Sequence, residues 1–257
     1  ISHTLDGRLI VTNKETGAIE QEVQLADASV AEFLTSAPLV VKDSAITGVS
    51  GAEYGIRGWL HATNLKDGSK NWRTYTIPAP GEPGSETWKQ GPESHSKDAW
   101  MHGGGSTWVV GSYDPDLNVI YWGVGNPGPD WDNEYRPGDN LYSNSVLALD
   151  ADSGKIKWYF QYTPNDPYDF DGVNEQTLVD AKVFGKKTKA VLHADRNGFA
   201  YALDRESGKF LWGSPFVKKL DWTAGLDKYT GRPMDYDPNK DVQRYVPSTS
   251  AFRAQPE

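Results

Sequence analysis

Two carboxylates that stand two residues apart, Asp169 and Asp171, are the first positions in this 257-residue sequence that suggest chemistry. They lie in a turn-rich segment that runs from Tyr162 to Gly172. Residues two apart on an extended segment point the same way, so the two side chains are predicted to converge. Converging carboxylates repel each other unless a proton or a cation lies between them, and oxygen-rich sites suit hard cations. The pattern predicts a cation site, with an acidic surface loop as the alternative.

Two more side chains offer hard oxygen ligands next to small residues. Glu53 lies within the glycine-rich stretch 46–58, where a ligand can approach the backbone closely. Asn126 follows Gly123-Val124-Gly125 at a predicted strand end, and its amide oxygen can coordinate a cation. The alternatives are a solvated glutamate on a hairpin and an asparagine that caps a turn.

A tryptophan and an arginine complete the set of candidate positions. Trp108 follows closely on three glycines, Gly103-Gly104-Gly105, and such a run can place an indole against a flat ligand. A core wedge is the alternative for Trp108. Arg196 leaves a predicted strand just before a turn, which by itself indicates an exposed arginine.

A pattern that occurs four times indicates the elements that hold these positions. Each copy is a short apolar strand, a turn ending in glycine, and a second strand, with Asp or Asn four residues before the glycine. The Asp or Asn can hydrogen-bond the turn amides, and glycine supplies the positive φ of a tight hairpin. Three copies carry a tryptophan four residues after the glycine as an apolar wedge, whereas the first has Gln21. The glycines are Gly17, Gly68, Gly154 and Gly208, and the tryptophans are Trp72, Trp158 and Trp212.

The spacing of these turns predicts the fold. The glycines are 51, 86 and 54 residues apart, which fits four-stranded blades with one excursion at roughly 77–105. We therefore predict an all-β protein, a β-propeller with Trp-docking turns, in which residues 1–257 form one partial domain of about four blades. Because an open half-ring exposes strand edges, the chain is expected to be a piece of a larger ring. The first residue is Ile1, which also suggests a mature or truncated chain.

Composition and charge exclude several classes of function. The sequence has 35 acidic and 26 basic residues, a net charge of −9, which argues against non-specific nucleic-acid binding. It has no cysteine, which excludes a thiolate metal site, a cysteine nucleophile and a disulfide within these residues. No apolar stretch approaches the roughly 18 residues of a membrane-spanning helix.

Taken together, the blade turns and the five segments around these residues resemble the quinoprotein alcohol dehydrogenases, propeller enzymes that use pyrroloquinoline quinone (PQQ). The resemblance is to bacterial methanol and ethanol dehydrogenases and covers nearly the whole chain. It implies about half of an eight-bladed ring, oxidation of a primary alcohol to the aldehyde, and a cytochrome c as electron acceptor. It also implies a periplasmic location and a homodimer. The alternative is a non-catalytic propeller scaffold of the outer-membrane assembly type.

The resemblance also implies roles for individual residues. Asp169 matches the catalytic base. An aspartate at position 171, two residues later, is similar to the lanthanide-dependent members of the family, where another carboxylate compensates a trivalent ion; Ca²⁺ is the alternative. The implied metal ligands are Glu53, Asn126, Asp169 and Asp171, and the implied PQQ contacts are Thr35, Ser50, Gly51, Ala52, Ser106, Trp108 and Arg196.

In the mechanism that the resemblance implies, the metal acts as a Lewis acid on the quinone C5 carbonyl. Asp169 takes the alcohol proton, and hydride passes to C5. The chain departs from the family pattern at two points. It lacks the family's adjacent-cysteine disulfide, and it has one extra residue around Asp130 to Asn133, near the Asn126 loop.

Overall fold

Fifteen β-strands form four antiparallel sheets in the residues that the computed structural model describes, 1–89, 94–183 and 185–236. The strands are β1 Ser2–His3, β2 Arg8–Thr12, β3 Ile19–Gln24, β4 Leu39–Val41, β5 Ser44–Gly48, β6 Trp59–Asn64, β7 Lys70–Tyr75, β8 Ser112–Asp114, β9 Val119–Val124, β10 Ser145–Asp150, β11 Ile156–Gln161, β12 Thr177–Val183, β13 Lys186–Ala194, β14 Phe199–Asp204 and β15 Phe210–Pro215. Short 3₁₀ helices cover Ala28–Val30, Ala52–Tyr54, Ser85–Thr87 and Ser94–His102.

Each sheet is a meander in which consecutive strands pair, as in the blades of a propeller. We number them blade 1 (β1 to β3), blade 2 (β4 to β7), blade 3 (β8 to β11) and blade 4 (β12 to β15). The prediction of an all-β propeller with four-stranded blades is confirmed, although blade 1 has three strands within the described ranges. Among the same residues, no helix is long and apolar enough to cross a bilayer.

The repeated turns each join two strands, as predicted, and these are the last two strands of each blade. In all four, the glycine N–H donates to the carbonyl four residues earlier at 2.8 to 2.9 Å, and φ of the glycine is +68° to +75°. In the Gly154 turn, for example, Asp150 Oδ1 accepts from Ser153 N–H at 2.9 Å. A fifth copy, which was not found in the sequence, runs from Asp227 to Gly231, where the same bond is 2.7 Å.

The wedge residues join each blade to the next. The Trp72 indole of blade 2 lies on the Gly154 turn of blade 3, and its Nε1–H donates to Ala151 O at 3.1 Å. The Trp158 ring covers Gly208 of blade 4 in the same way. Trp212 lies on the last strand of blade 4 and is 45% exposed; no blade follows blade 4 among the described residues, so its role as a wedge stays a prediction.

The apolar core lies between the blades because the central strands alternate in the direction of their side chains. In blade 3, Tyr121 and Val146 pack towards blade 4, whereas their neighbours Ile120 and Leu147 pack towards blade 2. Every residue of β9 is buried. Alternation with period two therefore produces two apolar faces on one sheet.

The meander divides the loops of blades 2 to 4 into two sets at opposite ends of the strands. The glycine turns and the turns that join the first two strands of each blade lie at one end, which we call the turn face. The loops β5–β6, β9–β10 and β13–β14 lie at the other end together with the connections between blades. We call this end the loop face, and every candidate site residue lies on it.

Candidate active site

Glycine-rich backbone brings the loops of the loop face side by side. Thr107 N–H donates to Val49 O at 2.8 Å, which joins the blade 2–blade 3 connection to the loop that carries Glu53. On its other side the same connection is joined to blade 3, because Gly105 N–H donates to Asn126 O at 2.8 Å. The connection thus lies between the loop that carries Glu53 and the loop that carries Asn126.

Asp171 lies at the centre of the candidate site. It is 4% exposed; its Oδ1 accepts the Asn126 backbone N–H at 3.0 Å, and its Oδ2 pairs with Arg196 Nη1 at 3.0 Å. A Cβ on Gly125 would lie 2.6 Å from Asp171 Oδ1 and 3.1 Å from Ser106 Oγ. The structure therefore brings together four of the predicted residues, and it rules out a solvated surface loop at Asp171.

The segment that carries Asp169 and Asp171 does not have the extended conformation from which their convergence was predicted. Both residues have positive φ, +59° and +64°, so the segment is not extended. Phe170 between them is buried in the core of blades 3 and 4. Two left-handed residues on either side of a buried aromatic ring orient the carboxylates, and the prediction of an extended segment was wrong here.

Burial and the charges of neighbouring carboxylates make the two carboxyl groups unusually weak acids. Burial, followed by the charges of Asp171 and Asp166, raises the pKa of Asp169 to about 7. Burial raises the pKa of Asp171 to about 6, although the Asn126 N–H and the Arg196 charge act in the opposite direction. Neighbouring carboxylates with raised pKa values favour a cation or a proton between them.

The side-chain amide of Asn126 has a fixed orientation. Its Nδ2 donates to Asp130 Oδ1 at 2.7 Å and to Pro127 O at 3.3 Å, so its Oδ1 stays available as an acceptor. Asp130 was noted in the sequence only as the place of an extra residue. Burial and the charge of Glu53 raise the pKa of Asp130, while the Asn126 bond lowers it.

Glu53 stands apart from the buried acids. It is exposed on the 3₁₀ helix Ala52–Tyr54, and its charge reaches Asp130. Within the described part of the chain, no three His, Asp or Glu side chains form a group with metal-binding geometry. The role of Glu53 as a ligand stays a prediction.

The predicted hydroxyl contact Thr35 lies next to Ser50, the first residue of the predicted backbone contact 50–52. Thr35 Oγ1 donates to Ser50 Oγ at 3.2 Å, and Ser50 Oγ donates to Phe33 O at 3.0 Å. Gly51 follows with φ +121°, and a Cβ there would lie 2.0 Å from a backbone oxygen of residue 31. Only glycine fits at this position, and Ala52 beyond it is buried.

Trp108 is a surface residue of the candidate site and not a core wedge. It is 38% exposed, whereas the neighbouring core position is filled by Trp122, whose Nε1–H donates to Thr107 O at 3.1 Å. The alternative that assigned Trp108 to the core was wrong. An exposed indole is available to stack on a flat ligand.

Two charged residues that the sequence did not single out are completely buried beside the site. Arg136 donates to the carbonyls of Pro129, Asp130 and Asp166, and the Asp166 carboxylate accepts backbone N–H groups of its own loop. Both lie in segments rich in Pro, Gly, Asp and Asn, which look like solvated turns. Nothing in such a composition signals a charged side chain that is 0% exposed.

The donor set fits a hard cation. It offers carboxylates whose raised pKa values reflect burial and repulsion, and an amide oxygen left free by a fixed amide nitrogen. The exposed Trp108, the paired hydroxyls and Arg196 suit a flat, anionic ligand such as PQQ. Fold and site together define a β-propeller with a buried acidic site on its loop face.

Comparisons with known proteins agree with this class. The PQQ family model described as "Glucose/ethanol/alcohol dehydrogenase, beta-propeller domain" matches residues 3–216. The chain belongs to this family, and the predicted relationship to the quinoprotein alcohol dehydrogenases is confirmed.

Three similar proteins illustrate the relationship. Quinoprotein alcohol dehydrogenase PedH of Pseudomonas putida is 44% identical over 92% of this chain and 41% of its own length. Methanol dehydrogenase (cytochrome c) subunit 1 of Methylorubrum extorquens is 38% identical over 90% of this chain and 38% of its own. The solved structure "Europium-containing methanol dehydrogenase" has 39% identity and a TM-score of 0.82 over 90% of this chain and 42% of that one. The chain thus spans about two-fifths of the length of these relatives.

Proposed function

We propose that this chain is the part of a PQQ-dependent alcohol dehydrogenase that carries the catalytic base and the metal site. The observation that carries the proposal is the cluster in which buried Asp171 contacts Asn126 and Arg196, beside Asp169, on one face of a propeller. Relatives named as alcohol and methanol dehydrogenases support the same activity.

In this proposal Glu53, Asn126, Asp169 and Asp171 hold the metal ion. The charge of Asp171 adds to that of Asp169, which favours a trivalent lanthanide over Ca²⁺. The similarity to a methanol dehydrogenase that contains europium supports this preference. The Asp171 carboxylate that would hold the ion also accepts the Asn126 backbone N–H and pairs with Arg196, so the three residues would act together.

The proposed base is Asp169. Bound PQQ would supply the two-electron acceptor that oxidation of the alcohol to the aldehyde requires, as quinone cofactors do. Asp169 would accept the hydroxyl proton of a primary alcohol. A pKa near 7 suits this step, because a general base works best when its pKa lies near the operating pH.

The cofactor contacts follow from the arrangement of the loop face. Trp108 offers a flat apolar surface, Arg196 a positive charge, and Thr35 and Ser50 a pair of hydrogen-bonded hydroxyls next to the Gly51–Ala52 backbone. Ser106 adds a buried hydroxyl beside Asp171. These residues orient the cofactor, and the glycines let it approach the backbone.

The partners belong to the same proposal. We propose that electrons pass to a cytochrome c in the periplasm and that the whole enzyme is a dimer; the name of the Methylorubrum relative supports the cytochrome. The scaffold alternative accounts for the repeated turns. It gives no reason for the carboxylates gathered on the loop face.

The test is a measurement of metal and cofactor in the protein purified from its natural source. Elemental mass spectrometry measures the metal, and the absorption band of PQQ measures the cofactor on the same sample. One lanthanide and one PQQ per chain support the proposal, whereas calcium with PQQ keeps the enzyme and removes the lanthanide preference. A preparation with neither metal nor quinone favours the scaffold.

A further inference from the structure

We infer that Asp166, anchored by Arg136, is the positioning residue that gives the Asp169–Asp171 segment its conformation. The inference rests on the proposed function, in which this segment supplies the base and a metal ligand. Asp166 itself does not face the ion in this proposal. It acts on the backbone that carries the two functional carboxylates.

The segment 166–171 wraps around the carboxylate of its own first residue. Asp166 Oδ1 accepts the Tyr168 N–H at 2.9 Å, and Oδ2 accepts the N–H groups of Phe170 at 2.6 Å and Asp171 at 3.3 Å. Oδ2 also accepts from Asn144 Nδ2 at 2.8 Å. Backbone N–H groups that point inward at one carboxylate force the chain into a tight coil. The left-handed conformation of Asp169 and Asp171 follows from this coil.

Asn144 reinforces the coil from the neighbouring blade. Its Nδ2 donates to Asp171 O at 2.7 Å as well as to the Asp166 carboxylate. The same residue is bonded through its own N–H to Gly125 O at 2.9 Å. The coil is therefore held against the backbone that leads into Asn126.

Arg136 connects the coil to the loop that carries Asn126. Its Nη2 donates to Asp166 O at 2.7 Å and to Asp130 O at 2.9 Å, and its Nε donates to Pro129 O at 2.9 Å. The guanidinium and the Asp166 carboxylate are both 0% exposed, and each lies in the field of the other. A planar guanidinium holds five donors in a fixed fork and can bind carbonyls from two loops at once. Arg136 thus fixes the distance between the two parts of the site.

The geometry requires a carboxylate at position 166. An asparagine side chain has the same shape but only one acceptor oxygen. Its NH₂ group would take the place of the other carboxylate oxygen and would face a backbone N–H donor. Asp166→Asn therefore loses at least one backbone bond together with the charge opposite Arg136. Asp166→Glu keeps the charge and both oxygens on a longer side chain, and it should recover part of the loss.

Asp114 provides a matched control on the turn face. It is 4% exposed, its Oδ1 accepts the N–H groups of Asp116 at 2.9 Å and Leu117 at 3.1 Å, and it pairs with the buried Arg205 Nε at 2.9 Å. Asp114→Asn removes the same kind of buried turn carboxylate at the other end of blade 3. It leaves the loop face intact.

Two measurements on the full chain test the inference. Hydrogen–deuterium exchange of the peptide that covers 167–172 needs no metal; we expect at least tenfold faster exchange of its amides in Asp166→Asn and no change in Asp114→Asn. Tb³⁺ alone, followed by its luminescence, reports the metal site. We expect a Kd at least tenfold weaker in Asp166→Asn, a smaller loss in Asp166→Glu, and less than a threefold change in Asp114→Asn.

The outcomes separate the inference from the proposed function. Equal effects of Asp166→Asn and Asp114→Asn on both readouts would overturn the inference, because they would indicate general destabilisation only. Unchanged exchange at 167–172 in Asp166→Asn would overturn it as well. If the unsubstituted chain does not bind Tb³⁺, the proposed metal site is wrong, and the exchange data alone decide the positioning role.

Discussion

Replacing Gly154 by alanine should destabilise the protein far more than the same change at Gly17. Both glycines occupy the same position of the repeated turn, with φ +68° and +74°. A Cβ on Gly154 would lie 2.5 Å from Cδ2 and Cε3 of Trp72, whereas a Cβ on Gly17 would meet nothing within 4 Å. Comparing the two variants therefore separates the energetic cost of a left-handed alanine in the turn from the cost of disturbing the contact between blades.

The expected difference follows from these contacts. At either site a left-handed alanine costs about 1–2 kcal/mol, so this part cancels. At Gly154 the indole must also move by about 1 Å, and overpacking of this kind costs about 1–3 kcal/mol. Loss of the bond from Trp72 Nε1 to Ala151 O adds about 0.5–1.5 kcal/mol. We expect Gly154→Ala to be roughly 2–4 kcal/mol more destabilising than Gly17→Ala, taking overpacking and the lost bond together.

Urea unfolding followed by far-UV circular dichroism measures the free energies of unfolding. A double-mutant cycle with Trp72→Ala gives the sharper result, since Gly154→Ala should then cost no more than Gly17→Ala. Equal losses for the two single variants would refute the role of the indole. So would a Gly154→Ala penalty that persists without Trp72.

Three further results are expected at the candidate site. Gly125→Ala should displace the Asp171 carboxylate and weaken Tb³⁺ binding at least tenfold in luminescence titrations; an unchanged Kd would show that Asp171 does not need its present position. In buffer that contains a metal chelator, the free energy of unfolding should fall as the pH rises from about 4 to about 7. The pKa values of Asp169 and Asp171 are higher in the folded than in the unfolded chain, so their contribution to stability is full at low pH and is lost as the two carboxyl groups ionise. Thermal melts of the Asp169→Asn/Asp171→Asn variant should show a smaller loss of stability over this pH range. The same pH profile in the variant and the unsubstituted chain would contradict the assignment of this loss to the two carboxyl groups. In the full-length enzyme, Asp171→Ala should reduce lanthanide-dependent alcohol oxidation much more than calcium-dependent oxidation, and equal losses with both metals would argue against a specific lanthanide role.

Local turn chemistry made the fold predictable. Asp150 and Gly154 stand at a fixed spacing because one bonds the turn amides and the other takes the positive φ, and both requirements are visible in the sequence. The fifth turn, from Asp227 to Gly231, has Asp235 at the position where three of the other four copies carry tryptophan. Trp212 has the same spacing as Trp72 and Trp158, but a wedge packs on the turn of the following blade, and the described residues include no blade after blade 4.

The candidate site was predicted less completely than the fold. The resemblance pointed to Asn126, Asp171 and Arg196, which contact one another as a group in the structure. Asp166 and Arg136 escaped notice because their burial results from contacts between loops that are 30 residues apart in the chain. Such contacts depend on how the blades are placed, which no local pattern records.

The division into a turn face and a loop face has a consequence for how such a protein can change over evolution. The glycine turns that lock each blade to the next are separated from the site loops by six-residue strands such as β9, about 20 Å in length. Loops on one face can therefore gain or lose residues without disturbing the locks on the other. The segment around Asp130 to Asn133, where the resemblance implies one extra residue, lies on the loop face, and there Asp130 accepts a bond from Asn126. A constant lock on one face and a variable rim on the other would let a single ring acquire new substrates by loop variation alone.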